Sequence, residues 1–234
     1  MIERYLKQYK DTFESQHELM VPDNHSMHNP DPEYWNILLG DVKYNSERWK
    51  GKRAFDFGCG CGRNLYNLST LADWDTIDGC DISKSNAAYA QQWYNDTKTI
   101  KFNDDGSLAT AGCRTWENNG KDIQPTPYNY DFIMSHIVFQ HISNYDVRYS
   151  IMEDMYNSLN DGGLCSLHFM DLGSYEKKDT VSYFENSLQY NNCRVDDKQY
   201  LVDDFTKIGF KNVKIETGND YLTGVKAYYI KGEK

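Results

Sequence analysis

Residues 54–65, AFDFGCGCGRNL, constrain this chain more than any other stretch of it. A short apolar run meets an acid, then three glycines at alternate positions, then a segment that reads as a helix. Bare backbone where a strand turns into a helix suits a ligand that the main chain must approach closely. A dinucleotide-binding loop has the form GxGxxG, and its third glycine lets the helix pack against the strand. Here Gly58, Gly60 and Gly62 are spaced GxGxG, and Arg63 stands where that third glycine belongs. Asp56, two residues before the first glycine, would repel a pyrophosphate and favour a ligand with a cationic amino-acid end. No GKS or GKT follows, which excludes a P-loop.

The surrounding pattern predicts the fold. From Lys52 onward strands and helices alternate: AFDFG, then the helix RNLYNLSTLA, then the strand DTIDGCDIS, then the helix KSNAAYAQQWYN with Ser83 as its N-cap. YDFIMSHIV reads as a strand buried on both faces, YDVRYSIMEDMYNSL as a helix, and NDGG as a turn leading into the strand GLCSLHFMD. FKNVKIETG and VKAYYIKGE predict an antiparallel hairpin at the C-terminal end. The expected fold class is α/β: a single Rossmann-like doubly wound sheet, mostly parallel, with helices on both faces. Residues 1–50 read as a helical extension or cap, in which MIERYLKQYKDTF is one helix and EYWNILLGDVKYNSERW another. The fold proper is expected over 51–234, with a polar, lid-like segment at about 171–200.

The chain resembles the class I S-adenosylmethionine-dependent methyltransferases, closest to their small-molecule branch. DFGCGCGRN matches that family's first motif, D/E-x-G-x-G-x-G, and the resemblance runs over about residues 50–232. It implies S-adenosylmethionine as cofactor, S-adenosylhomocysteine as product and no metal. Asp56, Gly58, Gly60 and Gly62 would then border the methionine part of the cofactor, and Cys59 and Asn64 would also belong to the cofactor-binding loop. Asp81, 19 residues after Gly62 at the end of the second strand, would bind the ribose hydroxyls, and Ile82 would pack on the adenine. Two stretches compete for a third contact, 100–108 and 115–123; the second has the better spacing and points to Asn119, Gly120 and Asp122. SHIVFQHI, residues 135–142, would lie beside the transferring methyl, with Ser135 and His136 nearest and Gln140 and His141 opening the next helix. His136 or His141 is the candidate general base, because an imidazole titrates near neutral pH.

The acceptor is less visible. Tyr34 and Trp35 from the extension, Gln140, Phe169 and Asp171 at strand ends, and Tyr175 beyond them are candidates to enclose it. A net charge of −10 without a Lys/Arg cluster disfavours general nucleic-acid binding. The place after the fourth strand reads SHIV, not the proline-rich tetrad of amino DNA methyltransferases. A small-molecule or sugar-type acceptor is the leading expectation. A protein side chain, a non-catalytic scaffold of the same fold, and an NAD-dependent oxidoreductase, which conflicts with Arg63, are the alternatives. Oligomeric state is not legible. Six cysteines without a CxxC pair, no apolar run near the roughly 20 residues of a membrane span, and a charged start lead to the expectation of a cytoplasmic protein without a membrane anchor.

Overall fold

The computed structural model describes residues 2–19, 36–97, 111–123, 126–171, 180–189, 192–219 and 226–234. Among the described residues, seven strands form one sheet. Strands β1 (Arg53–Phe57), β2 (Thr76–Asp81), β3 (Thr115–Glu117), β4 (Tyr130–Ser135) and β5 (Leu159–Met170) run parallel. The hairpin strands β8 (Lys211–Asn219) and β9 (Lys226–Glu233) close the edge, with β9 antiparallel to both neighbours, and the order across the sheet is β3-β2-β1-β4-β5-β9-β8. Two short strands, β6 (Thr180–Val181) and β7 (Asn192–Cys193), pair parallel outside that sheet.

The period-two pattern of the strands sends side chains into two cores, one on each face. Phe55 and Phe57 face Tyr130, Ile133, Phe139 and the helix α5 (Tyr145–Asn157). Ala54 faces Leu65 and Leu68 of α3 (Arg63–Leu71), together with Phe132 and Met134. Helix α4 (Lys84–Thr97) begins at Ser83, whose Oγ accepts from the Asn86 N–H at 3.1 Å, and α6 (Gln199–Ile208) packs beside the hairpin.

Two expectations change. Over its described residues, 36–49, the expected helix is interrupted: helical residues 36–38 give way at Leu39 to a short helix α2 (Gly40–Lys43) and then a 3-10 turn (Ser46–Trp49). Leu39 (φ −113°, ψ 6°) and Asn45 (φ −133°, ψ 44°) leave helical geometry, while Leu38, Leu39 and Val42 are buried. Burying those side chains overrides local helix preference at a site already weakened by Gly40. Likewise β5 begins at Leu159, four residues before the expected start, and runs through the NDGG stretch with a register shift opposite Tyr130/Phe132.

Helix α1 (Ile2–Ser15) is built into the first core through Tyr5, Leu6 and Tyr9. Polar contacts hold it there. Tyr5 Oη accepts from the Ser143 N–H at 3.1 Å, Lys10 pairs with Glu117, and Glu14 accepts from the Ser83 hydroxyl at 2.7 Å and the Ser85 N–H at 3.2 Å. The serine hydroxyls beside Glu14 hold its carboxyl down at about 2. Among the described residues, no helix is long and apolar enough to cross a membrane.

Candidate active site

Strand order reverses between β1 and β4, and in such sheets ligands bind in the crevice outside the carboxyl ends of the strands there. A cavity of about 200 Å³ lies at that place. The glycine loop forms its floor, and Tyr9 and Phe13 of α1 form part of its roof.

The loop is tied to the end of β2. The N–H groups of Gly58 and Cys59 both donate to the Cys80 carbonyl at 2.9 Å, and the Gly60 N–H donates to Asp81 Oδ2 at 2.9 Å. Gly58 and Gly62 sit at φ 72° and 96°. A Cβ on Gly58 would lie 2.3 Å from the Val138 side chain, and one on Gly62 would lie 3.1 Å from Ala90 of α4. These two glycines therefore serve backbone geometry and close packing within the chain as well as ligand approach.

Asp81 borders the cavity. Its Oδ1 accepts from the Ser83 N–H at 2.9 Å and from the Asn86 amide at 3.3 Å, while Oδ2 takes Gly60. A carboxylate offers about four acceptor positions, so one remains for a ligand hydroxyl. Burial pushes its pKa up, and the hydrogen bonds act against that. Ile82 lies beside it on the cavity wall.

Around the expected third contact, Asn118, a residue the sequence pattern does not single out, lines the cavity. Asn118 and Gly120 border the cavity; Asn119 is exposed and accepts from the Lys121 N–H at 2.8 Å, and its amide donates to Asp122 at 3.1 Å. Those two residues build the turn and do not line the cavity. The competing stretch 100–108 lies outside the described residues.

Asp56 lies behind the cavity lining, fully buried, and neither of its oxygens has a hydrogen-bond partner. Burial pushes its pKa up to about 8; the Arg63 guanidinium pulls it down and Asp81 pushes it further up. Arg63, at the start of α3, reaches the cavity itself, as do Cys59, Cys61 and Asn64.

The two histidines differ. Arg63 lies 3.3 Å from His136 Nδ1, and a guanidinium only donates, so Nδ1 accepts and the neutral ring carries its proton on Nε2. His136 packs edge-on against His168 of β5 at 4.8 Å, and His168 Nδ1 accepts from the Ile137 N–H at 3.3 Å. Burial holds His136 well below its ordinary pKa and His168 at about 3, so both are neutral at pH 7. Ile137, between them in sequence and contact, sits at φ 58°, strained for a β-branched residue. His141 also borders the cavity, with its Nδ1 3.0 Å from Asn192 Oδ1. Gln140 and His141 belong to a 3-10 turn (Phe139–His141); α5 starts four residues later.

Several candidates have other work. The Ser135 hydroxyl donates to the Phe57 carbonyl at 2.8 Å and joins two strand ends. Phe169 is a core residue, packed on Phe139 at 4.8 Å. Asp171 accepts from the Tyr228 hydroxyl at 3.0 Å and pairs with Lys226 at 3.3 Å. Gln140 is buried beside His141 and does not line the cavity. Tyr34, Trp35 and Tyr175 lie outside the described residues. Among the described residues, no group of three or more His, Cys, Asp or Glu is placed to hold a metal ion, and the six cysteines are free thiols.

Residues 55–165, just under half of the chain, match the family model described as a methyltransferase domain. No curated protein matches the sequence. Solved structures match more broadly. Magnesium protoporphyrin IX methyltransferase from Synechocystis, with S-adenosylmethionine bound, is 12% identical with a TM-score of 0.63, over 97% of both chains. The N-methyltransferase NodS from Bradyrhizobium japonicum, with S-adenosylhomocysteine, is 9% identical with a TM-score of 0.61, over 88% of this chain and 89% of that one. A phosphoethanolamine N-methyltransferase 2 from Haemonchus contortus, in complex with phosphomonomethylethanolamine and S-adenosylhomocysteine, is 15% identical with a TM-score of 0.57. That match covers 86% of this chain, which spans about half (52%) of the Haemonchus chain.

Proposed function

We propose, from the premise that this chain is a class I S-adenosylmethionine-dependent methyltransferase, that it methylates an oxygen or nitrogen atom of a small-molecule or sugar-type acceptor. The observation that carries this reading is a single cavity bordered by the glycine loop, Asp81 and His141. The similar structures include proteins named for phosphoethanolamine and magnesium protoporphyrin IX, both small molecules, which supports that acceptor class.

The residues suit the cofactor. Asp81 has an acceptor position left for ribose hydroxyls, Ile82 and Asn118 offer an apolar face and an amide to the base, and Arg63 offers a cation to the methionine carboxylate. Asp56, buried without a partner, places latent negative charge behind the loop for the ammonium end. When bound, the cofactor supplies an activated methyl group on a sulfonium, so the protein's task is alignment and exclusion of water. Tyr9 and Phe13 exclude water from above, and His141 takes the acceptor's proton. Orientation of this kind is worth roughly 7–11 kcal/mol of barrier.

Isothermal titration with S-adenosylmethionine, S-adenosylhomocysteine and NAD in parallel tests the reading. Micromolar binding of the adenosyl pair without NAD is expected; binding of NAD alone, or of nothing, would overturn it.

Asp56 adds a pH signature. Its folded pKa, about 8, lies above the unfolded value, so between about pH 4 and 8 the folded state holds a proton that the unfolded state has lost. Stability from this group is full below that window and falls as pH rises through it. A cationic ligand end favours the carboxylate, so binding releases the proton and affinity climbs with pH up to about 8. Asp56→Asn is expected to flatten both dependences. Equal proton release by the variant and the native protein, read by titration in two buffers of different ionisation enthalpy, would remove Asp56 from the account.

A further inference from the structure

His141 is held by a part of the chain distant in sequence. Residues 180–189 dock on the turn after β4 and on the start of α5 through a set of hydrogen bonds, among them one from the Asp146 N–H to Asn186 Oδ1 at 2.9 Å. Arg148 donates to the carbonyls of Ile142 and Tyr183, and the Ser143 hydroxyl donates to the Gln189 carbonyl at 2.6 Å. The Asn144 amide donates to the Ser187 carbonyl at 3.1 Å, and the Tyr145 N–H to the Glu185 carbonyl at 3.0 Å. The chain then reaches β7, where Asn192 Oδ1 lies 3.0 Å from His141 Nδ1.

That contact assigns a tautomer. An amide oxygen only accepts, so His141 Nδ1 carries the hydrogen and Nε2 keeps its lone pair. A second contact gives the same assignment: the Gln140 amide nitrogen, a donor, lies 3.4 Å from His141 Nε2. His136 has the opposite tautomer, because Arg63 donates to its Nδ1. Of the two histidines on the cavity wall, His136 has its lone pair on a cation and His141 has its own on a neutral amide at 3.4 Å, so His141 is the better proton acceptor. The ring is faced by Phe13 of α1 at 5.5 Å, by Gln140 and by Asn192; His168 of β5 senses it at longer range and is neutral at pH 7.

We infer that Asn192 is a positioning residue: it fixes His141 as the Nδ1–H tautomer, leaving Nε2, whose lone pair meets only the Gln140 amide at 3.4 Å, as the nitrogen that takes the proton of the acceptor's O–H or N–H group. The bonding pair stays on the acceptor atom as the nucleophile, the imidazole becomes imidazolium, and the proton later passes to solvent. The acceptor's part in this rests on the methyltransferase reading; the tautomer does not.

Histidine-selective ¹⁵N NMR of the full chain tests it without an acceptor, the His141 signal being assigned by its loss in His141→Asn. The native protein is expected to show the Nδ1–H form of His141 at pH 7–8. Asn192→Ala should give a mixture of tautomers. Asn192→Asp, which sets a carboxylate against the same nitrogen, should raise the His141 pKa by about one unit or more. Titration with S-adenosylhomocysteine should give affinities within about twofold of native for both variants, since Asn192 does not border the cavity. An Nε2–H form in the native protein, or an unmoved pKa in Asn192→Asp, would overturn the inference. If the Asn192 variants do not fold, the native tautomer alone decides it. Failure of native protein to bind S-adenosylhomocysteine would instead sink the methyltransferase reading and leave the tautomer result standing.

Discussion

Asp81→Ala is expected to lower affinity for S-adenosylhomocysteine by roughly 10- to 100-fold, equivalent to ~1.4–2.7 kcal/mol of charge-assisted hydrogen bonding. Two losses combine. The ligand loses an acceptor at the end of β2, and the glycine loop loses the carboxylate that holds the Gly60 N–H. The Ser83 N–H at the start of α4 loses its partner as well. Asp81→Asn keeps one acceptor oxygen and should fall between the two. Calorimetric titration beside a thermal melt separates binding from folding, because Gly58 and Cys59 stay anchored to the Cys80 carbonyl in both variants. Unchanged affinity in Asp81→Ala would take this residue out of the site.

Arg148→Met is expected to cost stability first, by ~2–4 kcal/mol in urea denaturation. The guanidinium is fully buried, donates to the Ile142 and Tyr183 carbonyls, and lies 5.2 Å from the centre of the Tyr183 ring. Methionine fills much of the space but leaves two buried carbonyls without donors. The same change loosens residues 180–189 from the turn that carries His141, so limited proteolysis should cut that stretch faster. A loss under about 0.5 kcal/mol with unchanged proteolysis would show that the other anchors suffice.

The sheet was legible because its signals are local. Glycine spacing, the acid at Asp81, the Ser83 cap and the two C-terminal strands each act over a few residues, and the structure has them where the pattern places them. Asn118 against Asn119 was harder. Adjacent residues in a tight turn point opposite ways, and only Asn118 meets the Gly120 N–H, at 3.0 Å, on the cavity side. The roof and the histidine partners are matters of distance along the chain. Tyr9 and Phe13 precede the glycine loop by dozens of residues, and Asn192 lies 51 residues beyond His141. No periodicity encodes such a meeting. In the sequence Arg63 marks only a departure from the dinucleotide pattern; its contact with His136 depends on α3 lying beside the end of β4.

The position of helix α1 bears on how the molecule assembles. Residues 2–15 leave the ribosome before the residues they dock on: Tyr5 waits for Ser143, 138 residues later, and Lys10 for Glu117. Contacts of such long sequence separation form late and slowly. The roof of the cavity is thus made before the parts it covers and is among the last to dock. Until then an amphipathic helix with Tyr5, Leu6 and Tyr9 bare must be kept from other chains, so the yield of folded protein should depend on concentration and on chaperones more than the stability of the finished sheet would suggest.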